Sequence, residues 1–286
     1  MQVTYASIRI EDVDLFYREA GPPNAPALLL LHGFLTSSHM FRDLMPGLAD
    51  RYRVIAPDLP GFSQTVAPGR ATFAYSFDHL AQIIEGFTEA MGLVRYALYI
   101  FDYGAPVGLQ LAIQHPERVT AIVTQNGNAY EEGLGGTWDA WRSYWREPTM
   151  ANRESCRSSL SDEPIQFQYL EGAPAGLVSP DGMALDIAHM HEPEAMEVQL
   201  DLILDYRTNV ALYPAFQAYF REHRPPPLAA WGRHDPFFLA IGAEAFRRDL
   251  PDAEIHLLDA GHFALETHHP RITHLMQDFL QGHAAP

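Results

Sequence analysis

The segment I-F-D-Y-G-A-P-V-G, from Ile100 to Gly108, decides how the rest of the chain reads. It closes the apolar run Tyr96–Phe101, which is short and bounded as buried strands are, and opens a helical pattern from about Pro106 to His115. One acidic residue, Asp102, is therefore caught between a buried strand and a helix. In open α/β sheets ligands bind beyond the carboxyl ends of the strands, and a side chain on a tight strand-to-helix turn is pushed into that crevice. Gly104 supplies the space such a turn needs. Capping the helix is the plainer use of an aspartate here, so Asp102 gains chemical meaning only from its company.

Outward from that turn, strand-like and helical stretches alternate. The first thirty residues run apolar–polar on either side of Glu11–Asp12 and end in the turn cluster GPPNAP, as an antiparallel hairpin would. Buried strands are expected at Ala27–His32 and Arg53–Ala56, with a helical segment from about Met40 to Leu48 between them. A helix over about Phe77–Met91 precedes Tyr96–Phe101, and strand Thr120–Thr124 follows the helix after Asp102. From about Asn128 to His223 the strand-like runs vanish and Trp, Tyr and acidic residues take helical spacings. Alternation resumes with Leu228–Trp231, a helix around Ile241–Arg248, strand Glu254–Leu258 and a helix from about Pro270 to Leu280. The expected class is α/β: a mostly parallel eight-stranded sheet with right-handed crossovers and an inserted helical cap. Residues 1–127 and 224–286 form the core and residues 128–223 the cap.

Composition narrows the function. A chain of 286 residues with 47% apolar content buries a full core. Its net charge of −17 repels phosphate backbones and anionic lipid, so neither nucleic acid nor membrane is an expected partner. The N-terminal sequence mixes charged and apolar residues instead of showing a signal-like apolar stretch, which reads as cytoplasmic. The single cysteine, Cys156, excludes an intrachain disulfide, and no Cys or His spacing resembles a zinc site despite 14 histidines. No metal and no cofactor is expected; the partners are a small-molecule substrate and water.

Asp102 has company of the right kind. Strand Glu254–Leu258 is followed by D-A-G-H-F, which places His262 beyond the carboxyl end of the last strand. Strand Leu228–Trp231 is followed by G-R-H-D-P, which places Asp235 on a neighbouring loop. A nucleophile-type residue, an acid and a histidine thus follow three strands in that chain order. H-G-F-L, His32–Leu35, offers backbone N–H groups to the same crevice, whereas His115 in QHPERV reads as a helix cap.

Together HGF, PDLPGF, VTQNG, WGRHDPF and AGHFALE resemble the α/β-hydrolase superfamily over the whole chain outside the cap. In serine members the turn reads G-x-S-x-G; here Asp102 takes the serine position and Ile100 the first glycine. That resembles the branch containing epoxide hydrolases, haloalkane dehalogenases and fluoroacetate dehalogenases. The resemblance implies a covalent alkyl ester on Asp102, hydrolysed by water that His262 activates while Asp235 orients the ring. It assigns the oxyanion hole to the backbone N–H groups of Phe34 and Tyr103.

A carboxylate suits a saturated carbon bearing a leaving group, since attack on an ester carbonyl would give a labile anhydride. Haloalkane dehalogenases usually carry Trp after the nucleophile and, in many members, Asn after HG, where this chain has Tyr103 and Phe34. Fluoroacetate dehalogenases often carry their acid after the preceding strand, where Asn126 and Asn128 stand here. Epoxide hydrolases generally use two cap tyrosines as proton donors. Tyr213 resembles the second; Trp141 takes the place of the first, with Tyr144 and Trp145 nearby, and Leu35 replaces the proline of H-G-x-P. The leading expectation is an epoxide hydrolase acting on a small, mostly apolar substrate. A dehalogenase with an atypical halide site, using Trp141 or Trp145 as indole donor, is the alternative enzyme. A non-catalytic ligand-binding homologue is the alternative of another class.

Overall fold

The computed structural model describes residues 2–283. The hairpin pairs β1 (Thr4–Ile10) with β2 (Val13–Ala20), and six further strands follow: β3 (Ala27–Leu31), β4 (Arg53–Pro57), β5 (Tyr96–Phe101), β6 (Val119–Gln125), β7 (Pro227–Gly232) and β8 (Glu254–Leu258). They form one sheet in the order β1-β2-β4-β3-β5-β6-β7-β8. Only the β1–β2 and β2–β4 pairs are antiparallel. From β3 the sheet grows one way to β4 and the other way to β5, so a crevice opens beyond the carboxyl ends of β3 and β5. All six residues of β5 are buried, as the continuous apolar run requires of a strand covered on both faces.

Helices α1 (Met45–Leu48), α2 (Phe77–Ala90), α3 (Gly104–Gln114), α9 (Ala240–Asp249) and α10 (Ala264–His283) flank the sheet; α2 packs on α3, and α1 on α10. Two helices differ from expectation. The segment Met40–Leu48 is a 3-10 turn, Ser38–Phe41, followed by the four-residue α1, because Pro46 and Gly47 disfavour a continuous helix. The last helix begins earlier than Pro270 and passes through a kink at His268, where φ is −125° and ψ 16°, two residues before that proline.

Five helices lie between β6 and β7: α4 (Asp139–Arg146), α5 (Met150–Arg157), α6 (Asp162–Leu170), α7 (Pro180–Met190) and α8 (Ala195–His223). Arg153 bonds Asp201 at 2.9 Å and Glu197 at 2.7 Å, tying α5 to α8. Arg70, on the loop after β4, pairs with the same Asp201 at 2.5 Å and fastens these helices to the core. Farther along α8, Phe220 packs on Phe246 and Arg221 pairs with Asp249 of α9, so one helix joins the inserted helices to those that flank the sheet. Among the described residues no helix is long and apolar enough to cross a membrane.

Candidate active site

Asp102 occupies the turn between β5 and α3 with φ 47°, in the left-handed region, and is only 4% exposed. Such a conformation costs about 1–3 kcal/mol and persists only where the surroundings dictate it. Here they do. A Cβ at Gly104 would lie 2.3 Å from the Leu31 carbonyl oxygen, and one at Gly33 would lie 2.3 Å from Asp102 Cβ. Two glycines thus let the β3 and β5 turns close on each other. Asp102 Oδ1 then accepts hydrogen bonds from the backbone N–H of Phe34, at 2.6 Å, and from that of Tyr103. Bonds to a charged group contribute about 1.5–3 kcal/mol each, enough to offset the backbone strain. Leu35, where epoxide hydrolases usually carry proline, has φ 65°, which a proline ring cannot adopt.

The other two expected residues converge on the same point. His262 is 1% exposed, with Nε2 3.7 Å from Asp102 Oδ2 and Nδ1 2.8 Å from Asp235 Oδ2. At 3.7 Å the imidazole and Asp102 are not hydrogen-bonded, so Nε2 stays free for another partner. Asp235 is tied down completely: Oδ1 accepts from Phe237 N at 2.7 Å, and Oδ2 accepts from Asn126 Nδ2 at 2.6 Å as well as from His262. Asn126 Oδ1 in turn accepts from Gly232 N at 3.0 Å.

Burial pushes the Asp102 pKa up, and the His262 charge with the two N–H donors only partly counters it. Burial alone would lower that of His262, but Asp235, by charge and hydrogen bond, and then Asp102 outweigh it and raise the value. The pair is poised as a buried anion beside an imidazole that holds its proton unusually well while the anion persists.

Above these residues lies a mostly apolar cavity of about 90 Å³, bounded by Phe34, Trp138, Trp141, Phe167, Phe237 and His262 among others. Trp141 stands edge-on to Phe34 at 5.2 Å, and its indole N–H has no hydrogen-bond partner among the described residues. Two of the other expected residues, Trp145 and Tyr144, face elsewhere. Trp145 donates its indole N–H to the Ile203 carbonyl at 2.6 Å, and the Tyr144 hydroxyl accepts from Arg153 at 3.1 Å, both away from the cavity. Tyr213 is a buried residue of α8, its hydroxyl 3.4 Å from that of Tyr206 and 3.3 Å from Asn128 Nδ2, and near enough to Asp102 for that charge to raise its pKa.

Residues 26–269 match the family model of the alpha/beta hydrolase fold. The chain belongs to the α/β-hydrolase family. It is 45% identical over 272 residues to an uncharacterized hydrolase of Saccharomyces cerevisiae, covering 92% of each chain. It is 33% identical to haloalkane dehalogenase 2 of Mycobacterium tuberculosis over 145 residues, which are 51% of this chain and 44% of that one. The structure of a proposed epoxide hydrolase from Pseudomonas aeruginosa superposes with a TM-score of 0.79 at 19% identity, covering 98% of this chain and 96% of the other, a likeness of fold.

Two residues of this α/β-hydrolase were missed by sequence reasoning. Asn126 was noted only as the place where some relatives carry their acid; here it holds the acid that comes from β7. Tyr206 carried a readable signal, since it precedes Tyr213 by seven residues and so shares its face of α8. Its ring lies 4.8 Å from Trp138 and 5.7 Å from Tyr103.

Proposed function

We propose that this hydrolase opens a small, mostly apolar epoxide through a covalent ester on Asp102. The observation that carries the reading is the division of labour within one carboxylate: Oδ1 accepts from Phe34 N and Tyr103 N, while Oδ2 looks toward His262 Nε2 across 3.7 Å. In the first step Oδ2 attacks a ring carbon, the carbon–oxygen bond breaks, and the alkoxide takes a proton from the Tyr206–Tyr213 pair. Burial raises the pKa of both tyrosines, that of Tyr213 to about 12, and the Asp102 charge adds a smaller push in the same direction, so both are protonated at neutral pH. This pair is what favours an epoxide.

In the second step His262 takes a proton from water, and the hydroxide adds to Cγ of the ester. Charge gathers on Oδ1, where the two N–H groups already point, and collapse expels the diol, which takes the proton from His262; the second proton of the water, left on the restored Asp102 carboxyl, returns to the tyrosinate formed in the first step, so Asp102 is ionised again. Esterification removes the Asp102 charge that helps hold His262 protonated, so the imidazole becomes a readier base at the moment a base is needed. The first step needs ionised Asp102 and therefore fails as pH falls through a pKa that lies above that of a free carboxylate.

The test is to mix His262→Gln protein with a panel of terminal epoxides and weigh it. A persistent adduct of one epoxide mass on the Asp102 peptide is expected, with turnover lowered by about 10²–10⁴-fold. No adduct, together with no diol from the unaltered protein, would overturn the reading. The open Trp141 indole favours one second reading, a dehalogenase in which that N–H receives the halide. Halide release from haloalkanes in place of diol formation would establish it.

A further inference from the structure

Besides the Trp141 indole N–H, the roof of the cavity contains a second polar side chain without a hydrogen-bond partner among the described residues. Gln168, on α6, lines the cavity, is 6% exposed, and its side-chain amide has no hydrogen-bond partner among the described residues. A primary amide offers two donors and an acceptor, and those of Gln168 stay accessible to whatever fills the cavity. The two hydroxyl groups of the lining are occupied: Thr137 Oγ1 donates to the Pro236 carbonyl at 2.9 Å and Ser159 Oγ to that of Cys156 at 2.6 Å. The nearby wall is apolar, from Trp138, Trp141, Pro164, Phe167 and Phe237, and no Lys or Arg belongs to it.

We infer that Gln168 is a specificity-determining residue, and that the substrate is an uncharged epoxide bearing one hydrogen-bonding group, an ether or hydroxyl, that meets this amide. An anionic substituent has no cation to receive it and meets the Asp102 charge below. A pure hydrocarbon substituent leaves the amide unsatisfied. The substrate class rests on the epoxide reading; the amide's preference for a polar group does not.

Two isosteric pairs separate these dependencies. With 1,2-epoxyhexane and ethyl glycidyl ether as substrates, the unaltered protein should show a kcat/KM about tenfold higher for the ether. Gln168→Leu and Gln168→Met should abolish the preference through KM, leaving kcat for epoxyhexane within about twofold. With the unreactive pair 1-pentanol and 2-ethoxyethanol, binding followed by indole fluorescence should favour the ether in the unaltered protein and lose about fivefold of that preference in both variants. Equal changes for both members of each pair, or none, would overturn the role of Gln168. Absence of diol from both epoxides, with the alcohol preference intact, would overturn the epoxide class and leave the amide's role standing.

Discussion

Below the cavity, Asp102, Asp235 and His262 each stand on a turn at the end of a strand, fixed by directed hydrogen bonds such as Phe34 N to Asp102 and Asn126 to Asp235. Above it, Trp138, Trp141 and Tyr206 hold one another by ring contacts, with Trp138 4.8 Å from both. The floor is a set of polar groups, each with assigned partners. The roof is a packed aromatic layer in which neighbours share the work. Loss of one floor group leaves a buried partner unpaired and removes a chemical step, whereas loss of one roof group is partly absorbed by the rest.

Asp102→Asn puts the greatest strain on that contrast. Asparagine accepts the left-handed backbone at this turn nearly as well as aspartate does, so the fold should survive while diol formation falls by about 10⁴-fold or more. Product chromatography beside a melting curve checks both halves; loss of folding together with activity would show that the floor is structural first. An intermediate effect is expected where roof meets chemistry. Tyr206→Phe and Tyr213→Phe should each slow epoxide opening by about 10- to 100-fold, the lower part of the range for lost acid catalysis, without slowing hydrolysis of a preformed ester. Single-turnover kinetics separates the two steps, and equal slowing of both would mean that the pair only packs. The smallest effect belongs to Tyr144→Phe. Its hydroxyl meets Arg153 and not the cavity, so activity should stay within twofold and stability should drop by about 1 kcal/mol at most, as thermal unfolding would report.

The same contrast explains what the sequence made legible. Asp102, Asp235 and His262 could be read because each follows a recognisable strand, and the sheet's topology alone brings strand ends together. The helix expected over Met40–Leu48 failed because an apolar pattern was weighed above the Pro46–Gly47 break within it. In the cap, Trp141 was placed near the chemistry, but Trp145 and Tyr144 turned away, since the direction of a helix face depends on how five helices pack and not on local pattern. Gln168 gave no signal at all. A glutamine in a helix looks solvent-facing until the fold buries it.

One detail of the floor extends to the fate of individual oxygen atoms. Oδ1 of Asp102 sits between two backbone donors before any substrate arrives, so on the proposed route it remains there as the ester carbonyl, the oxyanion and the restored carboxylate. Only Oδ2 departs, carried off in the diol, and the oxygen that replaces it comes from water. Each product molecule then contains the water oxygen acquired in the preceding cycle. The protein would carry a memory one turnover deep: transferred to isotopically heavy water, it should release its first diol unlabelled and every later one labelled, with one carboxylate oxygen exchanging and its twin never doing so.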